Sequence, residues 1–276
     1  MFMVLEDLIF PEKAERKPWE LFFLGALYAS IGMLLSLWIF RSESSMIMVL
    51  LTVVAVIPLM YKTFKREEKK DTLIYDERSL LKEHGKALKF LICLFFGFIV
   101  AYALWFIFLP DHLTSTLFRV QLNTINQINS KIIGNSIENN VIFQIFFNNL
   151  RVLFFAILFA FFYGAGAIFI LTWNASVIGA AIGDFAKIKL SSLSSYFFTI
   201  PFAIGRYMTH GVFEILAYFV GGLAGGIISV AIINHDINSE KFKVIMRDSL
   251  DLIFLSILLL VLAALVEVFI TPLAFS

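Results

Sequence analysis

The chain has little of what soluble domains carry in quantity. Only 16% of its 276 residues are charged, against about a quarter in an ordinary soluble protein. Its 22 Lys and Arg offset 21 Asp and Glu, leaving a net charge of +1. A nucleic-acid surface needs a clustered basic excess, so that class of partner is not expected. The one cysteine, Cys93, lies inside an apolar run. It can form no internal disulfide, reads as a small core residue, and leaves the redox compartment unspecified. No His-Glu-x-x-His occurs and no second histidine lies near His210, so neither a cofactor nor a resident metal is expected.

What the chain does have is apolar length. Hydrophobic residues make up 60% of it, Phe alone supplies 32, and the mean hydropathy is +0.88. Apolar stretches cover residues 21–40, 90–109, 152–173, 211–233 and 252–270. A helix rising about 1.5 Å per residue needs roughly 20 residues to cross the hydrocarbon of a bilayer. The expected fold is therefore all-α: a polytopic transmembrane helical bundle. Two shorter segments, 46–61 and 174–188, bring the expected number of spanning helices to about seven, plus interfacial or re-entrant helices.

Charge sets the expected orientation. Residues 62–89 hold nine Lys or Arg, which the positive-inside rule places in the cytoplasm. The amino terminus, with Lys13, Arg16 and Lys17, then falls on the same side of a cell membrane. Residues 2–10 read as a short amphipathic surface segment, and the first helix as an uncleaved anchor. Mixed charge over 65–89 reads as a solvated helix, with His84 and His235 in water. Residues 117–133 space their apolar side chains like an amphipathic helix at the outer interface, or like an exposed hairpin arm. Pro201 and Gly205 are expected to break the apolar segment 194–208 into a dip at the outer face. Trp19, Trp38 and Trp105 stand where interfacial anchors are usual.

Glycines recur at four-residue spacing: Gly179 with Gly183, Gly221 with Gly225, and Gly222 with Gly226. Such pairs share a helix face and let another helix approach closely. Gly164 and Gly166 form a smaller notch, and Gly211 follows His210. Packing within the chain is the ordinary reading; contact in a homo-oligomer and passage of a substrate along bare backbone are the others.

Polar groups at membrane depth are expensive and mark where function would reside. Asn148, Asn149 and Arg151 open one apolar stretch, His210 and Glu214 open another, and Glu267 closes the last. His210 and Glu214, four residues apart, share a helix face. They could serve as metal ligands, with Asp184, His112 or Glu267 completing a set. They could instead line a proton or solute path, or form a satisfied network with Arg151, Arg206 and the Asn side chains that fixes helix register.

These positions together resemble a known family. The run Asn148-Asn149-Leu150-Arg151-Val152, Gly164 and Gly166, then Asn174 with Gly179 resembles the first half of the stage II sporulation protein M family. His210-Gly211-Val212-Phe213-Glu214, the glycines at 221, 222, 225 and 226, and Ala263-Ala264-Leu265-Val266-Glu267 ending at Thr271-Pro272 resemble the second half. Thr209 stands where the family commonly has Pro; a Thr hydroxyl can cap a helix start. The resemblance implies a five-helix membrane core over residues 86–276. Residues 1–85 then form an added surface segment, two transmembrane helices and a charged loop. Family members in spore formers anchor a complex with cell-wall-degrading partners, so the resemblance implies a component of a larger assembly. The expected function is a membrane scaffold or assembly subunit with other membrane or envelope proteins as partners. A transporter or channel-like subunit using the His210, Glu214, Arg151 and Glu267 cluster is the second reading, and an intramembrane metal-dependent hydrolase the third.

Overall fold

A computed structural model describes residues 11–74, 76–134, 141–160, 165–188, 193–235 and 237–270. Side chains are described at 11, 14–74, 76, 78–127, 142–160, 167–187, 211–235 and 237–270. All regular structure among the described residues is helical: α1 (Pro11–Arg16), α2 (Glu20–Ile39), a 3₁₀ turn (Arg41–Glu43), α3 (Ser44–Leu73), α4 (Glu77–Phe108), α5 (Asp111–Leu117), α6 (Arg119–Gly134), α7 (Val141–Ala160), α8 (Ala165–Ile188), α9 (Leu193–Asn234), α10 (Glu240–Leu265) and a π turn (Val266–Ile270). Seven of these helices are long and apolar enough to cross a membrane.

Local chemistry sets several boundaries. The Asp76 carboxylate accepts from the Ser79 amide at 3.0 Å and so caps α4. Pro110 ends that helix by disfavouring helical backbone at Leu109. Ser239 caps α10 by accepting from the Phe242 amide at 3.2 Å. The 30 residues of α3 and 32 of α4 reach about 45 Å and 48 Å, well beyond a hydrocarbon core of about 30 Å. Both therefore project from one face, with their Lys and Arg residues at the projecting end.

Backbone contact holds the bundle together. Helix α2 lies on α4 with Gly25 against the Leu94 carbonyl and Gly97 against the Phe22 carbonyl. A Cβ at Gly179 would come within 2.6 Å of Tyr102 Cβ, and one at Gly183 within 2.6 Å of Phe106 Cβ. One at Gly222 would meet Ala167 Cβ at 2.9 Å, and one at Gly226 the Phe64 ring at 2.5 Å. All four face other helices of the same chain. Gly211 has open space around it, and Gly164 lies outside the described residues. Large side chains fill the remainder: Phe64, Phe90, Phe95, Phe98 and Tyr102 are fully buried. The Tyr102 hydroxyl and Thr52 Oγ1 share a hydrogen bond of 3.1 Å.

Several expectations need correction. Residues 152–173 are not one crossing: α7 ends at Ala160 and α8 starts at Ala165, so the polar Asn148–Arg151 run lies within a span. The following crossing accordingly extends from 174 back to 165. Residues 194–208 do not break at Pro201; α9 is continuous over 42 residues. A proline removes one backbone donor and can kink a helix without ending it. Helix α6 does cover the amphipathic segment, but its Gln121 is fully buried, bonded to Ser45 Oγ at 2.7 Å and Ser176 Oγ at 3.2 Å. Trp105 is half-buried and donates to Ser30 Oγ at 3.0 Å, whereas Trp19 and Trp38 are exposed. The surface segment expected over 2–10 lies outside the described residues.

Candidate functional site

Helices α7 and α9 run side by side in the same direction. Leu153 and Ile157 pack on Gly221, and Ala160 on Gly225. This register brings Asn149, which is buried, to Glu214 and Tyr218. The Asn149 Nδ2 group donates to Glu214 Oε1, and the Tyr218 hydroxyl donates to Asn149 Oδ1 at 3.1 Å. Both functions of one amide are thereby used between two helices. Glu267, half-buried in the π turn after α10, lies within electrostatic reach of Glu214. Asn149 and Glu214 therefore meet across α7 and α9, with Glu267 near Glu214 at the end of α10.

Three other expected members, Asn148, Arg151 and Asn174, lie elsewhere. Asn148 and Arg151 are exposed on the opposite side of α7. Arg151 lies within the Ile142–Ala160 candidate span, and ionisable groups at membrane depth are costly. Asn174 turns back on its own helix, donating to the Ile170 carbonyl at 2.9 Å. The side chains of His210 and Arg206 lie outside those described. Among the described residues, no group of three or more His, Cys, Asp or Glu is placed to hold a metal ion. Tyr218 escaped the sequence reading, although it follows Glu214 by four residues and so shares its face.

Sequence reasoning also missed a polar cluster at the projecting end. His84 is 2% exposed and Glu67 fully buried, so the mixed-charge stretch is not simply solvated. The His84 ring sits between two carboxylates, Nδ1 at 2.8 Å from Glu67 and Nε2 at 3.1 Å from Asp71. The first contact is a hydrogen bond. The second is close but off-line, leaving both Asp71 oxygens without an aligned donor among the described residues. Lys70 joins Glu67 at 2.9 Å and Glu15 of α1 at 3.0 Å. His235, also expected in water, is half-buried against Glu68. At the far end of the bundle Lys187 donates to Asp111 at 2.7 Å. That bond holds the exposed Asp111 carboxyl below its ordinary range.

The inner link has a measurable strength. Replacing Asn149 with leucine removes both of its hydrogen bonds and leaves a carboxyl group at Glu214 without that donor. The expected loss is about 1–2 kcal/mol of stability, read by thermal unfolding in detergent. Tyr218→Phe, which removes one bond and strands less, is expected to lose about half as much.

A bundle of seven helices long and apolar enough to cross a membrane defines a polytopic helical membrane protein. The family model described as stage II sporulation protein M matches residues 87–272. The chain belongs to that family. An uncharacterized protein of Methanocaldococcus jannaschii is 28% identical over 159 residues, covering 55% of this chain and 84% of the relative. No solved structure matches.

Proposed function

We propose that the chain is an integral scaffold or assembly subunit of a complex in the cell membrane, with its amino terminus in the cytoplasm. The observation that carries this reading is the closure of the Asn149, Glu214 and Tyr218 cluster. Its hydrogen bonds run between α7 and α9, so the intramembrane polarity serves to lock helices in register. Buried polar contacts of this kind fix which helices meet and at what depth. Family membership over residues 87–272 supports a role within a larger assembly. Orientation rests on Lys62, Lys65, Arg66, Lys69 and Lys70, which fall at the projecting end of α3, and on Lys241, Lys243 and Arg247 in α10.

The partners are membrane or envelope proteins, met through the outer segment around α5 and α6 or through the projecting helices. An epitope-tagged chain, crosslinked in its own membranes and then purified, tests this. Recovery of the same membrane or envelope proteins in fixed ratio to the chain is the expected result. Recovery of the chain with no other protein in stoichiometric amount would overturn the reading.

A further inference from the structure

Two polar side chains of α7 are left over by the contacts within the bundle. Asn148 and Arg151 are exposed and stand three positions apart on one face. Neither makes a hydrogen bond or ion pair among the described residues. Arg151 precedes Ala160, the last residue of α7, by nine positions, about 13.5 Å of helix. Ala160 meets Gly225, and the adjoining Gly226 meets Phe64, after which Lys65 and Arg66 close the apolar run of α3. The end of α7 is therefore level with a charged boundary, and Arg151 lies nearly halfway across a hydrocarbon core of about 30 Å. The bond from Asn149 to Glu214 agrees: Asn149 precedes Ala160 by eleven positions, and Glu214 precedes Gly225 by eleven.

Charge and reach narrow what can cover them. An arginine side chain spans about half the distance from mid-depth to either surface, so snorkelling alone does not bring its charge to a lipid phosphate. The chain offers no acid of its own on this face. Residues 141–160 contain no Asp or Glu, and Glu214 is engaged by Asn149. Glu267 continues the buried line of Ser256, Leu260 and Ala263 on the inner side of α10. A second copy docked through the same face is disfavoured too. A twofold axis along the membrane normal would set Arg151 against Arg151. Around the two polar groups Phe147, Phe155 and Leu158 are exposed, and α7 is the least buried of the candidate spans, so a helix can lie along it.

We propose that this face of α7 docks a spanning helix of a different membrane protein, one that carries an Asp or Glu level with Arg151. A carboxylate can accept two parallel N–H bonds from one guanidinium. Opposite charges paired out of water satisfy each other where either alone would be stranded. Asn148, one turn away, supplies both a donor and an acceptor, and the phenylalanines pack against the incoming helix. The inference rests on the assembly reading and adds to it one surface and one partner chemistry. The two fail separately, since partners can be held at other surfaces of the chain.

Purified full-length chain in liposomes, mixed with a synthetic spanning peptide, provides the test. The peptide is a lysine-flanked polyleucine helix of about 20 residues with one central Glu. Energy transfer from the chain's tryptophans to a dye on the peptide reads association. The Glu peptide is expected to bind about tenfold more tightly than the same peptide with a central Leu. Arg151→Leu should erase that preference and leave the thermal melt unchanged or raised, since it removes an unpaired charge from lipid. Arg151→Glu should transfer the preference, again about tenfold, to a peptide with a central Lys. Equal binding of the Glu and Leu peptides by wild type would overturn the proposal, as would a preference that survives Arg151→Leu. Phe155→Cys in a Cys93→Ser background, treated with a short bismaleimide and no peptide, should stay monomeric. A crosslinked dimer would give the face to a second copy and overturn the proposal as well.

Discussion

Exchange of Gly97 for leucine is expected to leave little folded protein in the membrane. A Cβ at this position would run into the Phe22 carbonyl and come within 2.9 Å of the Ala26 amide nitrogen. The obstacle is backbone, which cannot rotate aside as a side chain can. Gly25 meets the Leu94 carbonyl in the reciprocal way, so α2 and α4 touch backbone to backbone. In lipid such close packing is a main source of helix association. Overpacking a tight contact costs about 1–3 kcal/mol even where neighbours can shift; the upper end or beyond is expected here. Gly85, on the same helix, has nothing within 4 Å of a Cβ and serves as the control. Gly85→Leu should melt at or slightly above the wild-type temperature, since glycine weakens a helix by roughly 0.5–1 kcal/mol relative to alanine. Similar melts for the two leucine variants would contradict the packing described.

His84→Leu is expected to be the other severe change, lowering stability by about 3–5 kcal/mol. The side chain is nearly isosteric, so the loss is electrostatic. Without the imidazole, Glu67 and Asp71 face each other with Asp248 within electrostatic reach. Lys70 still reaches Glu67, but nothing described replaces the contact to Asp71. Adding Glu67→Gln and Asp71→Asn to His84→Leu should recover much of the loss, because neutral groups are far cheaper to bury than unpaired charges. Chemical denaturation in detergent reads both effects. A His84→Leu protein as stable as wild type would mean that the ring is not the counter-ion of this cluster.

Apolar length made the helical membrane class legible in the sequence. Gly179, Gly183, Gly222 and Gly226 each stand against another helix of the chain. The start of α7 was not legible, because Asn148, Asn149 and Arg151 look like a boundary to any measure that counts polarity alone. Asn149 is instead tolerated inside the span by having two partners, and those partners come from residues 65 and 69 positions away. His84 was misjudged for a related reason. Its neighbours in sequence are charged and suggest water. Yet α1, α3, α4, α9 and α10 gather at the projecting end, and their contacts bury it. Gly97 carries no partner at four-residue spacing, so nothing local marked it as the deepest contact with α2. In each case the deciding fact is which helices meet.

In the proposed scaffold the Asn149, Glu214 and Tyr218 cluster is expected to lock helices and not to conduct. Proton and ion flux into liposomes, measured for wild type and Glu214→Gln side by side with thermal unfolding of both, tests that claim most directly. No flux above protein-free vesicles is expected for either protein, with a lower melting temperature for Glu214→Gln. A gradient-driven flux in wild type that Glu214→Gln abolishes, with unfolding unchanged, would contradict it and make the cluster a transport path.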